Sequence, residues 1–590
     1  MNTGVWMAMS SLEDEIGACL GRAEWIGVIG SPSDNLLLNV ELLETAYDRG
    51  IVGNSCIIEF MQDGKKNYAL GQITSVQLRN PHIEKHPIQK IISSRGEANP
   101  LTETHDIRRI EINIGVVYSI EGDTLKPGRM GSIPPTGTRV YLLDQNTLDK
   151  LMEPYKKNLF YIGKIYNTDI LLPMIFKHFG FGESGAGEAY HIGIFGKTGS
   201  GKSILAIMIM CAYAKYKDMS IFVLDPQGQF SNEFKKNKMV RKILEGMSRK
   251  IEIISLHNLV LSGYSLFKEI LINSGFLKRR CNIIHPDNQE RAANVIKDIL
   301  EGKISDLFRR KFKLQEIYKK DAFEHVWNTL SMNEDVQKRI YKDKERRETM
   351  VSVIQSADKK EVYEEWKSIA KLFTDKEKEN PQGIRDLIKK IVEGGRILIV
   401  DLSETPEDIY WNEQIENIVL GEFLYHLIKE AEECYKKGKL LNTLVILDEA
   451  HRFAPREKTE NEYLERVKNK LIEGVRTTRK YGLGWMFISQ TLSSLHKEII
   501  NQIRIFIFGF GLAWGIERQA LREIIGGAEE AFKLYQSFHD PQSGLYEKEY
   551  SFMAVGPISP LSASGTPIFF TALNYPEEFL ERNFPETKRK

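Results

Sequence analysis

The sequence predicts an α/β protein: a doubly wound parallel sheet built around a phosphate-binding loop, with a small β-barrel before it and a helical region inserted into it. Three observations carry this expectation. The stretch HIGIFGKTGSGKS (191–203) sets an apolar run, Ile192 to Phe195, before a glycine-rich loop, and the apolar segment ILAIMIMCAYA follows from Ile204; strand, loop and helix in this order make a phosphate-binding turn. Short apolar runs of the kind that form strands buried on both faces recur downstream at 220–225, 250–256, 396–403, 443–451, 485–490 and 503–510, with helical segments between them. Between Trp25 and about Tyr161 the runs WIGVIG, SCIIEFM, YALGQITSV, RIEINIGVVYSI and TRVYLLD are separated by turn residues, which is the pattern of a small barrel.

At 590 residues there is chain for several domains and a large core. The 81 basic and 80 acidic residues leave a formal net charge of +1. This excludes a wholly basic nucleic-acid coat, so any such contact requires a local patch or the lining of a ring. The five cysteines lie far apart without a CxxC pair, which argues against a disulfide framework or a zinc site. No apolar run approaches the ~20 residues of a membrane span. MNTGVWMAMSSLEDEIG carries acids where a secretory signal is apolar. The expectation is a cytoplasmic protein without a membrane partner.

In chain order, residues 1–180 are expected to form the barrel and a connector that occupies 162–190 and ends in GFGESGAGEAY. Gly50 and Gly71 sit where small barrels bend or turn. The stretch from His86 to Asp106 is read as a loop, its two histidines without a ligand role. Residues 181–258 and 391–555 make the nucleotide-binding core. Residues 259–390 are charge-rich and amphipathic with two prolines, Pro286 and Pro381, and form the helical insertion; its arginine pairs are interleaved with acids, the pattern of a solvated face. Residues 556–590 hold a last strand, PIFFTAL, and a charged tail.

The chemistry follows from the motifs. Gly196, Lys197, Thr198, Gly199, Ser200, Gly201, Lys202 and Ser203 form the nucleotide cradle: glycines bring backbone amides to the phosphates, Lys202 reaches the β- and γ-phosphates, and Ser203 completes a magnesium site. ATP and Mg2+ are therefore the expected ligands. In TLVILDEAH, Asp448 ends a buried strand and is the second metal residue; Glu449 beside it polarises the attacking water. His451 is read as structural or coupling. Asp225, in VLDPQGQF, is either near the magnesium and water or a turn-forming residue. Gln490, ending WMFISQ, is a candidate sensor of the γ-phosphate. GVRTTRKYGLG puts Arg476, Arg479 and Lys480 on what is expected to be the exposed edge of the core, where ring ATPases place residues that reach a neighbouring subunit's nucleotide.

GKTGSGKS, VLDPQGQF, LIVDLS, VILDEAHRFAP and RTTRKYGLGWMFISQ, in this order, resemble the HerA group of hexameric DNA translocases, RecA-type ATPases close to the FtsK pumps. The resemblance extends over the barrel and the insertion. It implies a homo-hexameric ring around double-stranded DNA that works with an effector, such as a nuclease or, in defence-associated members, a sirtuin-like NAD-consuming enzyme. It also places Lys202, Ser203, Asp448 and Glu449 at the family's catalytic positions and Arg479 at that of the arginine finger. Gln229 stands where many relatives have an acid. Two functions share these residues: a motor that feeds or opens DNA for its partner, and an ATPase scaffold or sensor that gates an effector in antiviral defence. DEAH also occurs in two-core RNA helicases, but no second core is present here.

Overall fold

A computed structural model describes residues 11–585 apart from 82, 84–85, 97–104, 123, 183–184, 305–309, 405, 527, 546 and 563–564. The N-terminal strands are β1 (Trp25–Ile29), β2 (Leu37–Leu42), β3 (Ser55–Gln62), β4 (Lys65–Arg79), β5 (Ile107–Glu121), β6 (Thr124–Gly128) and β7 (Arg139–Leu142). They pair antiparallel in the order β2-β1-β7-β3-β4-β5, and β2 closes on β5 to give a six-stranded barrel with β6 appended to β5. Closure requires the long β4 and β5 to bend, and their register shifts at Leu70/Gly71. A Cβ at Gly71 would lie 2.7 Å from the Asn113 carbonyl oxygen, which explains the glycine at the bend. Inward residues such as Ile26, Val40, Ile58, Ile110 and Ile112 fill the interior.

Residues 86–95, read as a loop, form the helix His86–Arg95. The segment has no glycine, and Ile88, Ile91 and Ile92 follow helical spacing. Residues 97–104 of that stretch lie outside the described residues.

The core sheet is built from β8 (Leu159–Ile165), β9 (Leu171–Ile175), β10 (His191–Phe195), β11 (Ser220–Asp225), β12 (Lys250–Ser255), β15 (Arg396–Asp401), β16 (Thr443–Leu447), β17 (Leu483–Ser489), β18 (Ile503–Phe508), β19 (Ser551–Val555) and β20 (Ile568–Ala572); the two-residue β13 (Leu259–Val260) and β14 (Gln382–Gly383) pair separately. The order is β12-β15-β11-β16-β17-β10-β18-β19-β20-β8-β9. The seven strands from β12 to β18 are parallel, and the four from β19 to β9 add antiparallel. The loop strand β10 is thus central, between β17 and β18, and β17, β16 and β11 follow on one side, the RecA-like arrangement. Alternation shows burial on both faces: Ile221 and Val223 pack into one layer, Phe222 and Leu224 into the other.

Residues 162–190, expected as a connector, supply most of β8 and all of β9. β8 pairs with the C-terminal β20, Ile165 opposite Phe570, and β9 pairs with β8. Local pattern gives no sign of a partner so far along the chain.

The insertion is helical, with Pro286–Leu300, Lys320–Met332 and Lys359–Ala370 among its longer helices. Trp366 is buried edge-to-face against Phe267 and Phe276, at 5.5 and 5.8 Å, and the same apolar layer continues under the sheet to Phe222 and Leu398. Its cations are paired locally, Arg279 and Arg280 with Glu365, and Arg310 with Asp321. Barrel and core are joined by the buried Gln72, which donates to the Gly53 and Phe569 carbonyls (2.6 and 3.0 Å) and accepts from the Phe569 N–H (2.8 Å).

Candidate nucleotide site

β10 ends at Phe195 and the chain turns through Gly199 and Gly201, with φ of +82° and +84°, into the helix Lys202–Ala214. Left-handed backbone already favours glycine. At Gly201 space is short as well, a Cβ lying 2.6 Å from the Tyr550 ring, whereas one at Gly199 would have to push aside the end of the Gln542 side chain. Gly201 is the helix N-cap and offers no side-chain acceptor, so the first-turn amides and the positive end of the helix dipole face an incoming anion.

Lys202 is 8% exposed and donates to the Lys197 carbonyl at 3.0 Å. Burial lowers its pKa, and Glu449 and Asp448 oppose that shift. Ser203 Oγ donates to Gln229 Oε1. The Lys197 N–H donates to the Phe510 carbonyl (2.9 Å), and its ammonium lies 5.1 Å from the exposed Trp514 ring centre. Ser200 Oγ is buried without a partner.

Asp448 and Glu449 follow β16 and are buried, 2% and 5% exposed. Burial, then Glu449 and Asp225, push the Asp448 carboxyl up to about 7. Its Oδ1 accepts the Glu449 N–H at 2.9 Å, whereas Oδ2 is buried with no hydrogen-bond partner. Glu449 has left-handed backbone, φ +48°, a strain of about 1 kcal/mol or more that only a structured surrounding sustains. Its Oε1 accepts from Gln490 Nε2 at 2.7 Å. Its Oε2 has no hydrogen bond and lies 3.4 Å from His451 Nδ1. His451 Nδ1 is also 3.1 Å from Ser489 Oγ, and burial lowers its pKa.

Gln490 Oε1 accepts from Thr198 Oγ1 at 3.0 Å. One amide therefore joins the phosphate loop to the carboxylate: Thr198, Gln490 and Glu449 form a single hydrogen-bonded chain.

Asp225 makes the hydrogen bonds of a turn-forming residue. Its carboxylate accepts the N–H of Gln229 (3.0 Å) and the N–H and Oγ of Ser231 (both 2.8 Å), groups in the first turn of the helix Gln229–Lys236 that follows its N-cap Gly228. Its influence on the site is the negative charge felt by Asp448. Gln229, noted in the sequence only for not being an acid, is the residue that holds Ser203. Gln542 and Tyr550 were not anticipated, because no motif marks the segment that covers the loop.

Arg479 lies elsewhere. It sits in the short turn Thr478–Tyr481 that follows the helix Glu462–Thr477 and leads into β17. β17 is an interior strand between β16 and β10, and Arg479 is exposed at its N-terminal end. Gln490 follows its C-terminal end, about 20 Å away at ~3.3 Å per residue. Arg479 pairs with Glu188 at 3.5 Å, and Arg476 with Glu498 at 3.2 Å. Lys480 lies 5.3 and 5.9 Å from the ring centres of Tyr481 and Tyr435. None of the three reaches the phosphate loop of its own chain.

Among the described residues no three His, Cys, Asp or Glu side chains group as a metal cage, and no helix is long and apolar enough to cross a membrane.

Residues 189–427 match the family model for the central domain of the helicase HerA. No curated protein matches the chain. Among solved structures, VirB4 of Thermoanaerobacter pseudethanolicus aligns with a TM-score of 0.39 at 13% identity, over 71% of this chain and 97% of that one. The pCW3 conjugation coupling protein TcpA, with ATPγS, gives 0.26 at 12% over 90% and 93%. The genome-packaging NTPase B204 of Sulfolobus turreted icosahedral virus 2, with AMPPCP, gives 0.27 at 10% over 65% and 97%. The likeness to the HerA central domain thus takes in the phosphate loop, the helical insertion and the strands from β10 to β15.

Proposed function

We propose that the protein is an ATP-hydrolysing motor that assembles head-to-tail into a homo-hexameric ring, translocates on double-stranded DNA and works with a partner effector such as a nuclease or a sirtuin-like NADase. The observation that carries this reading is the pair of buried carboxylates facing Lys202, each with an oxygen left unpartnered, together with an arginine that cannot reach its own loop.

A buried, unpaired carboxylate oxygen is costly unless a ligand satisfies it. The Asp448 carboxyl, held near neutral pH by burial and by two acids, fits a site completed by a cation. Asp448 and Ser203 would hold magnesium, which prefers oxygen ligands and few protein groups. A metal held there would supply charge neutralisation at the β- and γ-phosphates. The loop amides and Lys202 orient the triphosphate. Glu449 accepts a proton from water as the water oxygen bonds to the γ-phosphorus and the bond to the bridging oxygen of the departing ADP breaks. Thr198 belongs to the phosphate loop, so its bond to Gln490 links a nucleotide bound there to Glu449. Charge at the γ-phosphate is completed by Arg479 of the adjacent copy.

The test is phosphate release with ATP and Mg2+ by wild type and Glu449→Gln. The substitution is expected to leave nucleotide affinity intact and lower turnover by about 10²- to 10⁴-fold, the worth of a positioned base. Turnover within a few-fold of wild type removes Glu449 from that role. Light scattering with nucleotide is expected to give a closed ring of six; a monomer or dimer contradicts the assembly.

A further inference from the structure

The end of the sheet that carries Arg479 holds a second arginine that shares its counter-ion. Glu188, just before β10, lies 3.5 Å from Arg479 Nε through Oε2 and 4.0 Å from Arg504 Nη1 through Oε1. Arg504 is the second residue of β18, and β18 pairs directly with β10, Ile503 opposite His191. The backbone fixes the same convergence, because the Ala189 N–H donates to the Arg479 carbonyl at 2.9 Å. Beneath lies the buried His191, with Nε2 2.9 Å from the Val475 carbonyl and Nδ1 accepting the Trp485 N–H at 3.2 Å. The support is rigid. The charged tips are not buried: the side chains of Arg479, Arg504 and Glu188 are 55%, 56% and 41% exposed.

One carboxylate between two guanidiniums leaves one positive charge unmatched. Arg476 adds nothing to that excess, since Glu498 pairs with it. Exposed ion pairs at such distances are worth about 0–1 kcal/mol, whereas an arginine meeting a phosphate forms parallel, charge-assisted hydrogen bonds. A multiply charged phosphate therefore displaces Glu188 from both arginines. We propose that Arg504 is a second cation presented, with Arg479, to the nucleotide of the neighbouring copy, and that Glu188 is the counter-ion that holds both arginines until those phosphates replace it. This rests on the head-to-tail ring proposed above. Two convergent cations on a rigid corner suit a compact triphosphate; a DNA backbone asks for an extended basic stripe.

The experiment measures steady-state ATP turnover of the full-length ring at saturating DNA for Arg479→Ala, Arg504→Ala, Arg504→Lys and Glu188→Gln, with DNA affinity and thermal midpoint determined alongside. Arg504→Ala is expected to lower kcat about 10²-fold, the loss for one oriented donor, with KM and DNA affinity little changed; Arg504→Lys recovers part of it. Glu188→Gln is expected to raise kcat/KM by about 2- to 3-fold at low salt, the equivalent of one surface pair, and the gain disappears at high salt. If Arg479→Ala is impaired while Arg504→Ala stays within twofold of wild type at an unchanged midpoint, Arg504 is outside the site. Weaker DNA binding by Arg504→Ala with unchanged kcat makes the corner a nucleic-acid contact and overturns the proposal. A fall in kcat/KM for Glu188→Gln overturns the counter-ion role. An Arg479→Ala ring as active as wild type instead refutes the ring reading on which the inference rests.

Discussion

The two ends of the parallel sheet are built on opposite physical terms. At the C-terminal ends of β10, β16 and β17, Lys202, Asp448 and Glu449 are buried, Glu449 is strained, and several polar atoms lack partners. At the N-terminal ends of β10, β17 and β18, Arg479 and Arg504 are half exposed, loosely paired with one acid and supported by a hydrogen-bonded His191. The first end stores unfavourable desolvation that a bound ligand relieves; the second stores nothing and offers exposed charge to whatever approaches. A site completed between two copies needs this division: one end commits to the ligand, and the other can engage and release it at little cost.

Four variants probe this contrast, the largest effect first. Lys202→Ala removes the buried cation of the phosphate loop and is expected to reduce phosphate release to background, with loss of nucleotide affinity in a binding assay. Arg479→Ala, at the other end, is expected to lower turnover by about 10³-fold while nucleotide affinity and ring size in light scattering are preserved; equal loss of affinity would make the two ends alike.

Asp448→Asn sharpens the energetic side. With its folded pKa near 7 against about 4 in an unfolded chain, Asp448 contributes stability that is complete below about pH 4 and is lost as pH rises through 7. Nucleotide-free Asp448→Asn is therefore expected to melt on the order of 2 °C above wild type at pH 8 and to match it at pH 4, although it loses turnover. A lower midpoint at pH 8 would show that no desolvation penalty is stored there. Gln72→Ala, in the barrel-to-core junction, should cost about 1–3 kcal/mol in denaturant unfolding through its unpaired partners, with ATP turnover within about twofold of wild type because it touches neither end of the sheet.

Much of this was legible in the chain. The phosphate loop, each parallel strand of the core and the helical insertion follow from periodicity and glycine placement, because those signals are local. Where placement depends on distant residues the sequence is silent. β8 finds its partner in β20 and β9 adds to β8, and the hydrogen bond from Ser203 to Gln229 depends on how the helix whose first turn bonds to Asp225 is set. Asp225 itself is ambiguous in sequence, since an aspartate ending a strand serves a metal or a helix equally well until its hydrogen bonds are seen. Gln542 and Tyr550 cover the loop from a segment with no motif. Arg479 was recognisable by its neighbours along the chain, but its separation from its own nucleotide site follows only from the direction of β17.

The most direct test of the division between the two ends is to mix them. Rings assembled from equal amounts of Arg479→Ala and Glu449→Gln subunits contain interfaces in which an intact Glu449 faces an intact Arg479, about a quarter of the total for random head-to-tail assembly. ATP turnover of such rings, with mixing verified by native mass spectrometry, is expected to recover well above that of either homogeneous variant. Rings shown to be mixed that recover no activity would contradict a shared site and return Arg479 to a role within its own subunit.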